Sequence, residues 1–241
     1  MNLLIDSGNT RLKWAMLQED GLLTSHALLN QQITRQQLID SWKQQLAPKR
    51  LAIACVGSTP LLQLVLAVAV ELWPTIEIIS VKSEAHAFGV VNAYQQPEKL
   101  GVDRWLALVA VHHHYQKSAC IVDCGTAITV DLIDADGKHQ GGLISPGLTL
   151  MKKSLATGTA ALQFNQTNYW VGPASFTEAA IYSGTLMAAV GLIEQVLSKQ
   201  VNVGQLILTG GDAGIIAAQL NTQPIIDSDL VLRGLAVILA G

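Results

Sequence analysis

The segment that decides the fold is MNLLIDSGNTRLKWAML, residues 1–17, once it is set beside VDCGTAITVDLID, residues 122–134. In the first, the apolar run Leu3-Leu4-Ile5 ends on a carboxylate, Asp6, followed by Ser7-Gly8-Asn9-Thr10. After the turn, Leu12, Trp14 and Met16 fall on one face of an alternating run. That pattern predicts a β-hairpin with a small polar turn. The second segment keeps the order: apolar strand, Asp123, glycine, Thr126, alternating strand. Nearly half the chain separates the two aspartates, a spacing that points to a duplicated domain rather than a solenoid. We place the boundary near residue 117, giving domains 1–117 and 118–241, although no Pro/Gly/Ser-rich linker marks it.

Working outward, strand-like and helix-like segments alternate. LAIACVG (51–57) and IEIISV (76–81) read as strands, and VDRWLALVAVHHHYQK (102–117) has helical spacing. ACIVDCG (119–125) and AITVDLI (127–133) read as a hairpin, and QLILTGGDA (205–213) as strand, glycine turn and helix start. SFTE (175–178) is expected to be a capping box in which Ser175 caps the backbone and Glu178 reaches back, opening a helix toward Lys199. The mixture predicts an α/β protein.

The totals narrow the function classes. The chain has 241 residues, half of them hydrophobic and only 14% charged. So few charges suggest that extra surface is covered by a partner, most simply a second copy. A net charge of -3 offers no footprint for nucleic acid or an anionic membrane. Asp6 and Arg11 interrupt the apolar start, so no secretory leader is expected. The stretch LLQLVLAVAVEL (61–72) is too short to span a bilayer and is expected to be a buried helix. Cys55, Cys120 and Cys124 are odd in number and lack zinc spacing, which fits reduced thiols in a cytoplasmic protein. Cys124 reads as a small packing residue.

Several residue groups can carry chemistry. A glycine turn between strands lets backbone N–H groups approach a phosphate, and a carboxylate beside it can hold Mg²⁺. Asp6, Gly8, Asn9, Thr10 and Lys13 suit such a metal–nucleotide site; an ordinary hairpin turn uses the same residue types, and the second copy favours phosphate. LTGGDA (208–213) and GGLISPG (141–147) read either as ligand-facing loops or as plain turns. In GVDR (101–104), Asp103 can accept a proton from a substrate hydroxyl and Arg104 can hold an anion. An acid near a helix N-terminus is also favourable for its own sake. The run His112-His113-His114 diverges in direction on a helix, so a shared metal is not expected. Trp14, Trp42, Trp73, Trp105 and Trp170 are assigned to core or interface packing.

Together, DSGNTRLKW, GVDRW, DCGTAITVD, GGLISPG and LTGGDA, in this order and spacing, resemble type III pantothenate kinases, within the superfamily of actin, sugar kinases and acetate kinase. The resemblance runs from residue 1 to about 235 and departs at Ser7, where the family often has an aliphatic residue. It implies two duplicated actin-like (ribonuclease H-like) domains with an ATP cleft between them, and ATP-dependent phosphorylation of pantothenate to 4′-phosphopantothenate. A kinase for another hydroxy acid or sugar, or a non-catalytic actin-like regulatory module, is the alternative. By resemblance Asp103 is the general base. Asp6, Ser7, Gly8, Asn9, Thr10, Arg11, Leu12 and Lys13 form the first phosphate motif, with Asp6 near Mg²⁺, and Thr126 also contacts ATP. Tyr94, Gly101, Val102, Asp103, Arg104 and Thr177 contact pantothenate. Asp123 binds a monovalent cation, K⁺ or NH₄⁺. Members are cytoplasmic homodimers. The helix after SFTE, apolar at Ala179, Ala180, Ile181, Leu186, Met187 and Val190, is expected to form the dimer face and to carry Thr177 into the partner's pocket.

Overall fold

The computed structural model describes residues 1–19, 21–158, 167–200 and 204–241. In chain order the strands and helices are β1 (Asn2–Ser7), β2 (Arg11–Gln18), β3 (Gly21–Leu22), β4 (His26–Leu29), α1 (Arg35–Trp42), β5 (Arg50–Cys55), α2 (Thr59–Leu72), β6 (Glu77–Ser80), β7 (His86–Ala87), β8 (Val90–Val91) and α3 (Val102–Tyr115). There follow β9 (Ala119–Cys124), β10 (Ala127–Ile133), β11 (His139–Pro146), α4 (Leu148–Gly158), α5 (Thr177–Lys199), β12 (Gln205–Thr209), α6 (Ala213–Ala217), β13 (Ile225–Ile226) and α7 (Leu230–Ala240).

Two units result, each with its own sheet. The first holds residues 1–116, 136–138 and 229–241; the second holds 117–135 and 139–228. The first sheet has the order β3-β2-β1-β5-β6, with β4 also on β2, and the second has β11-β10-β9-β12-β13. Both begin with an antiparallel hairpin, β1–β2 and β9–β10, and both add two parallel strands, β5–β6 and β12–β13. The duplication seen in the two Asp-x-Gly segments is thus a duplication of sheet topology. Asp6 and Asp123 each stand one residue before the end of their strand.

In the first unit both faces of the sheet are covered. One face buries Leu3, Ile5, Leu12, Trp14, Met16, Leu51 and Ile53 against α1 and α2. The three aromatic rings of Trp14, Trp42 and Trp73 pack there edge-on and stacked, with centroids 6.1 Å apart in both pairs. The other face buries Leu4, Ala15, Ala52 and Ala54 against Val102 and Leu106 of α3 and Val231, Leu232, Leu235 and Leu239 of α7. The period-2 alternation of strands with two apolar faces produces this division. The last helix therefore groups with the first unit, because its apolar side completes that second face.

Four expectations need correction. The 61–72 segment is a helix, but only Leu61, Val65, Val68 and Ala69 of α2 are buried, and Val70 is exposed. The more deeply buried helix is α3, where Val102 and every residue from Arg104 to Val111 are buried. GGLISPG is not a loop: residues 141–146 belong to β11, paired with β10 from Ala127↔Pro146 to Asp131↔Gly142. As an edge strand, β11 leaves Leu143 and Ile144 exposed and shows no clean alternation. The capping box does not form. Phe176 is the N-cap of α5 and no side chain caps it, so Glu178 sits one residue too early. The entry is set instead by Tyr169, whose ring meets Phe176 and Tyr182, and by Ser183, whose hydroxyl accepts from Gly172 N–H and donates to the Trp170 carbonyl. Finally, α5 turns Ala179 and Leu186 into its own unit's core, leaving Ala180 and Met187 exposed. By length and composition α5 is apolar enough to cross a membrane; here it lines the second unit's core with Tyr182, Leu186, Ala189 and Ile193.

Trp170 differs from the other tryptophans. Its ring covers Gly172 and is 76% exposed, whereas Trp14, Trp42, Trp73 and Trp105 are buried.

Candidate active site

In the first unit, β1 and β2 pair in register from Asn2↔Leu17 to Ser7↔Leu12, which sets Asp6 directly opposite Lys13. The intervening turn closes through Gly8 N–H to the Arg11 carbonyl at 3.0 Å. Asn9, Thr10 and Arg11 are exposed, while Ser7 and Leu12 are fully buried. Ser7 and Leu12 thus anchor the motif and do not face a ligand with their side chains. The Ser7 hydroxyl is buried without a partner, the cost of a polar residue at a strand end that faces the core.

The same unit assembles the GVDR segment. Gly101 caps α3, and Asp103 and Arg104 lie in its first turn. Asp103 Oδ1 accepts the Arg104 backbone N–H at 2.8 Å, which fixes the carboxylate's direction from the main chain. A side chain at 101 would collide with that oxygen, since a Cβ there would stand 2.5 Å from Asp103 Oδ1. Arg104 is only 5% exposed. A buried guanidinium needs acceptors, and Arg104 finds one in the Tyr94 hydroxyl at 2.7 Å, with its carbon 5.5 Å from the centre of the same ring. Tyr94 is itself held by its backbone N–H to Asn92 Oδ1 at 3.0 Å. Tyr94, Gly101, Asp103 and Arg104 are therefore one cluster, and Val102 contributes main chain while its side chain is buried.

The second unit repeats the carboxylate-at-glycine arrangement with tighter packing. Gly125 N–H closes the β9–β10 turn on the Ala127 carbonyl at 3.1 Å. Gly147 N–H donates to the Thr126 carbonyl at 2.9 Å, and Asp212 N–H to the Cys124 carbonyl at 3.0 Å. The three glycine-bearing segments singled out in this half thus meet at the end of β9. Gly210 has φ +91°, and a Cβ there would lie 2.5 Å from Asp123 Oδ1 and 2.6 Å from the Cys124 backbone. Only glycine suits that position. Cys124 is buried, and burial, then the Asp123 and Asp212 charges, push its thiol far above the usual range. It packs and stays protonated. Thr126 and Thr177 are exposed, the latter as the first residue of α5.

The histidines part company. His113 and His114 meet edge-on at 4.9 Å, whereas the His112 ring lies against Gly89 and Gly137. Among the described residues no group of three His, Cys, Asp or Glu side chains could hold a metal. One residue escaped sequence reasoning: Asn30 bonds the first turn with both its side chain and its main chain. Its partners lie some 20 residues upstream, so no local pattern announces it.

The sequence profile described as type III pantothenate kinase matches residues 2–199. A type III pantothenate kinase of Nitrosococcus oceani is 42% identical, over 98% of this chain and 92% of its own. Another from Halorhodospira halophila is 37% identical, over 98% and 96%. Among solved structures, a Campylobacter jejuni chain described as a Baf family transcriptional activator superposes with a TM-score of 0.63 at 22% identity, over 99% and 97%. The ethanolamine utilization protein EutJ of Carboxydothermus hydrogenoformans gives 0.56 at 12%, over 98% and 88%. At such identities these two speak for the fold alone. The profile match and the near-full-length relatives go further: the chain belongs to the type III pantothenate kinases.

Proposed function

We propose that phosphoryl transfer in this protein uses Asp103 as general base beside the buried Tyr94–Arg104 pair. As a type III pantothenate kinase, the chain phosphorylates pantothenate with ATP in coenzyme A biosynthesis. The observation that carries the assignment of roles is the 2.7 Å bond between Arg104 and Tyr94, next to a carboxylate fixed by the helix start. Arg104 offers its fork to the pantothenate carboxylate, Tyr94 orients that fork, and Gly101, Val102 and Thr177 complete the substrate contacts. Asp103 takes the proton of the primary hydroxyl as its oxygen attacks the γ-phosphate.

ATP is met by the turn Asp6, Ser7, Gly8, Asn9, Thr10, Arg11, Leu12 and Lys13 and by Thr126. Phosphoryl transfer depends chiefly on positioning and charge neutralisation. Asp6, at a strand end beside a glycine turn, suits Mg²⁺ held largely through water. Asp123, walled by Gly125 and Gly210 beside the Cys124 main chain, suits K⁺ or NH₄⁺, monovalent cations that carboxylate and carbonyl oxygens can surround. When bound, these ions offset triphosphate charge.

A cytoplasmic homodimer completes the reading. Its supports are the low charge content, the three free cysteines and the exposed Ala180 and Met187 on α5. The test is ATP consumption by the purified protein across a panel of hydroxy acids and sugars, with K⁺ present or replaced. Turnover confined to pantothenate is expected; equal turnover of another hydroxy acid would reassign the substrate.

A further inference from the structure

We propose that Asn30 is a positioning residue for ATP, acting through the first phosphate turn; this rests on the reading of residues 6–13 as ATP contacts. Asn30 stands just past the β2–β4 ladder, whose pairing begins at Arg11↔Leu29. Its backbone N–H extends that ladder by donating to the Thr10 carbonyl at 2.9 Å. Its side-chain Nδ2 donates to the Gly8 carbonyl at 2.9 Å, and the other amide atom, Oδ1, is buried without a partner. The Gly8 carbonyl is therefore what the side chain holds.

The consequence follows from peptide geometry. The Gly8 carbonyl and the Asn9 N–H belong to one planar peptide unit, and in a trans peptide they point in opposite directions. Among the described residues no peptide bond is cis. Drawing the Gly8 oxygen to Asn30 thus turns the Asn9 N–H the other way, on a residue that is exposed. Glycine allows its flanking peptide planes to rotate more freely than any other residue, so the Gly8–Asn9 unit is the one most in need of an outside lock. Other carbonyls of the turn are also engaged by donors. Ser7 accepts from Val56 and Gly57 at 3.1 and 3.0 Å, and Arg11 accepts from Gly8. With the Ser7, Gly8, Thr10 and Arg11 oxygens tied to donors, the turn is prepared to receive an anion at its N–H groups. Asn30 supplies two of these ties and holds two peptide planes at once.

The test uses the full-length enzyme. Asn30→Leu and Asn30→Asp both remove the donor, one without charge and one with the shape kept. Each is expected to raise KM for ATP about tenfold, the worth of a good hydrogen bond lost at a binding site. The KM for pantothenate should stay within about two-fold and the melting temperature within a few degrees, because one partly buried side-chain bond contributes little to global stability. Asn30→His, whose ring Nδ1–H reaches about as far as the amide, should recover most of the ATP affinity. A purely structural role would lower the melting temperature and act on both substrates alike. An unchanged KM for ATP in Asn30→Leu overturns the proposal, as does an effect confined to the charged Asp variant. Should Asn30→Leu fail to fold, the Asp and His variants decide it between them. Lys13→Ala is the control: if it also leaves KM for ATP unmoved, the phosphate reading of the turn fails and both claims fall. If Lys13→Ala raises KM and the Asn30 variants do not, only the role of Asn30 is lost.

Discussion

The Tyr94 hydroxyl accepts a 2.7 Å hydrogen bond from the Arg104 guanidinium, which also lies over the same ring. One aromatic residue thus gives a buried cation both an acceptor and a π face. Tyr94→Phe keeps the ring and removes the acceptor. Leaving a buried charged donor short of a partner costs about 1–3 kcal/mol. The expected outcome is a rise of about tenfold in KM for pantothenate with a smaller change in KM for ATP. Steady-state kinetics with both substrates check it, and an unaltered pantothenate KM would remove the pair from substrate binding.

Asp103→Asn should leave the fold intact, since an amide oxygen can take the Arg104 N–H as the carboxylate oxygen does. Turnover should drop by about 10²–10⁴, the usual contribution of a positioned base. Near-wild-type kcat in a correctly folded variant would take Asp103 out of the chemistry.

Activity should depend on a monovalent cation at Asp123. Exchange of K⁺ for Na⁺ is expected to depress the rate, and Asp123→Ala should do so even in K⁺. Gly210→Ala is expected to disturb the same carboxylate, because the new Cβ would stand 2.5 Å from Asp123 Oδ1 on a backbone with φ +91°. Such strain costs on the order of 1–3 kcal/mol. Full activity in cation-free buffer refutes the assignment.

The cysteines give a pH-dependent readout. Burial, reinforced by the Asp131 charge, pushes the Cys120 thiol from 9.0 up to about 12. A thiol whose folded value is raised resists ionisation, so its stabilising contribution is full below the unfolded value and declines as pH rises through the folded one. Stability should therefore fall between about pH 9 and pH 12. Native alkylation at pH 8 should reach the half-buried Cys55 ahead of Cys120 and Cys124. Mass mapping of modified cysteines settles it; early labelling of Cys120 would contradict the burial argument.

His113→Gln with His114→Gln should leave kcat within a few-fold. His112→Ala is expected to behave differently, costing about 1–2 kcal/mol of stability, because its ring packs against Gly89 and Gly137. Equal melting temperatures for all three changes would show that this contact contributes nothing.

How much of this could be read from the chain varies with the range of the forces involved. Both Asp-x-Gly hairpins were legible because alternation and a glycine turn are local signals, and LAIAC read correctly as a strand for the same reason. The Tyr94–Arg104 bond was not legible from spacing; it needs a buried guanidinium ten residues from its acceptor, and only the family resemblance named the two together. β11 was misread because an edge strand need not alternate. SFTE was misread because ring packing around Tyr169 outweighed a side-chain cap. The unit to which α7 belongs was hidden, since an apolar helix carries no mark of which sheet it will cover.

That last helix bears on how the protein is made. Leu4, Ala52 and Ala54 precede the second unit in the chain, yet four of the residues that cover them, Val231, Leu232, Leu235 and Leu239, follow it. The first unit cannot seal that face until the whole of the second unit's sequence has been made. Chains arrested before residue 229 would present a partly uncovered apolar sheet face, the kind of surface that chaperones hold and that aggregates form around. The first unit becomes whole only once residues 229–241 have been made, and not on the synthesis of its first half.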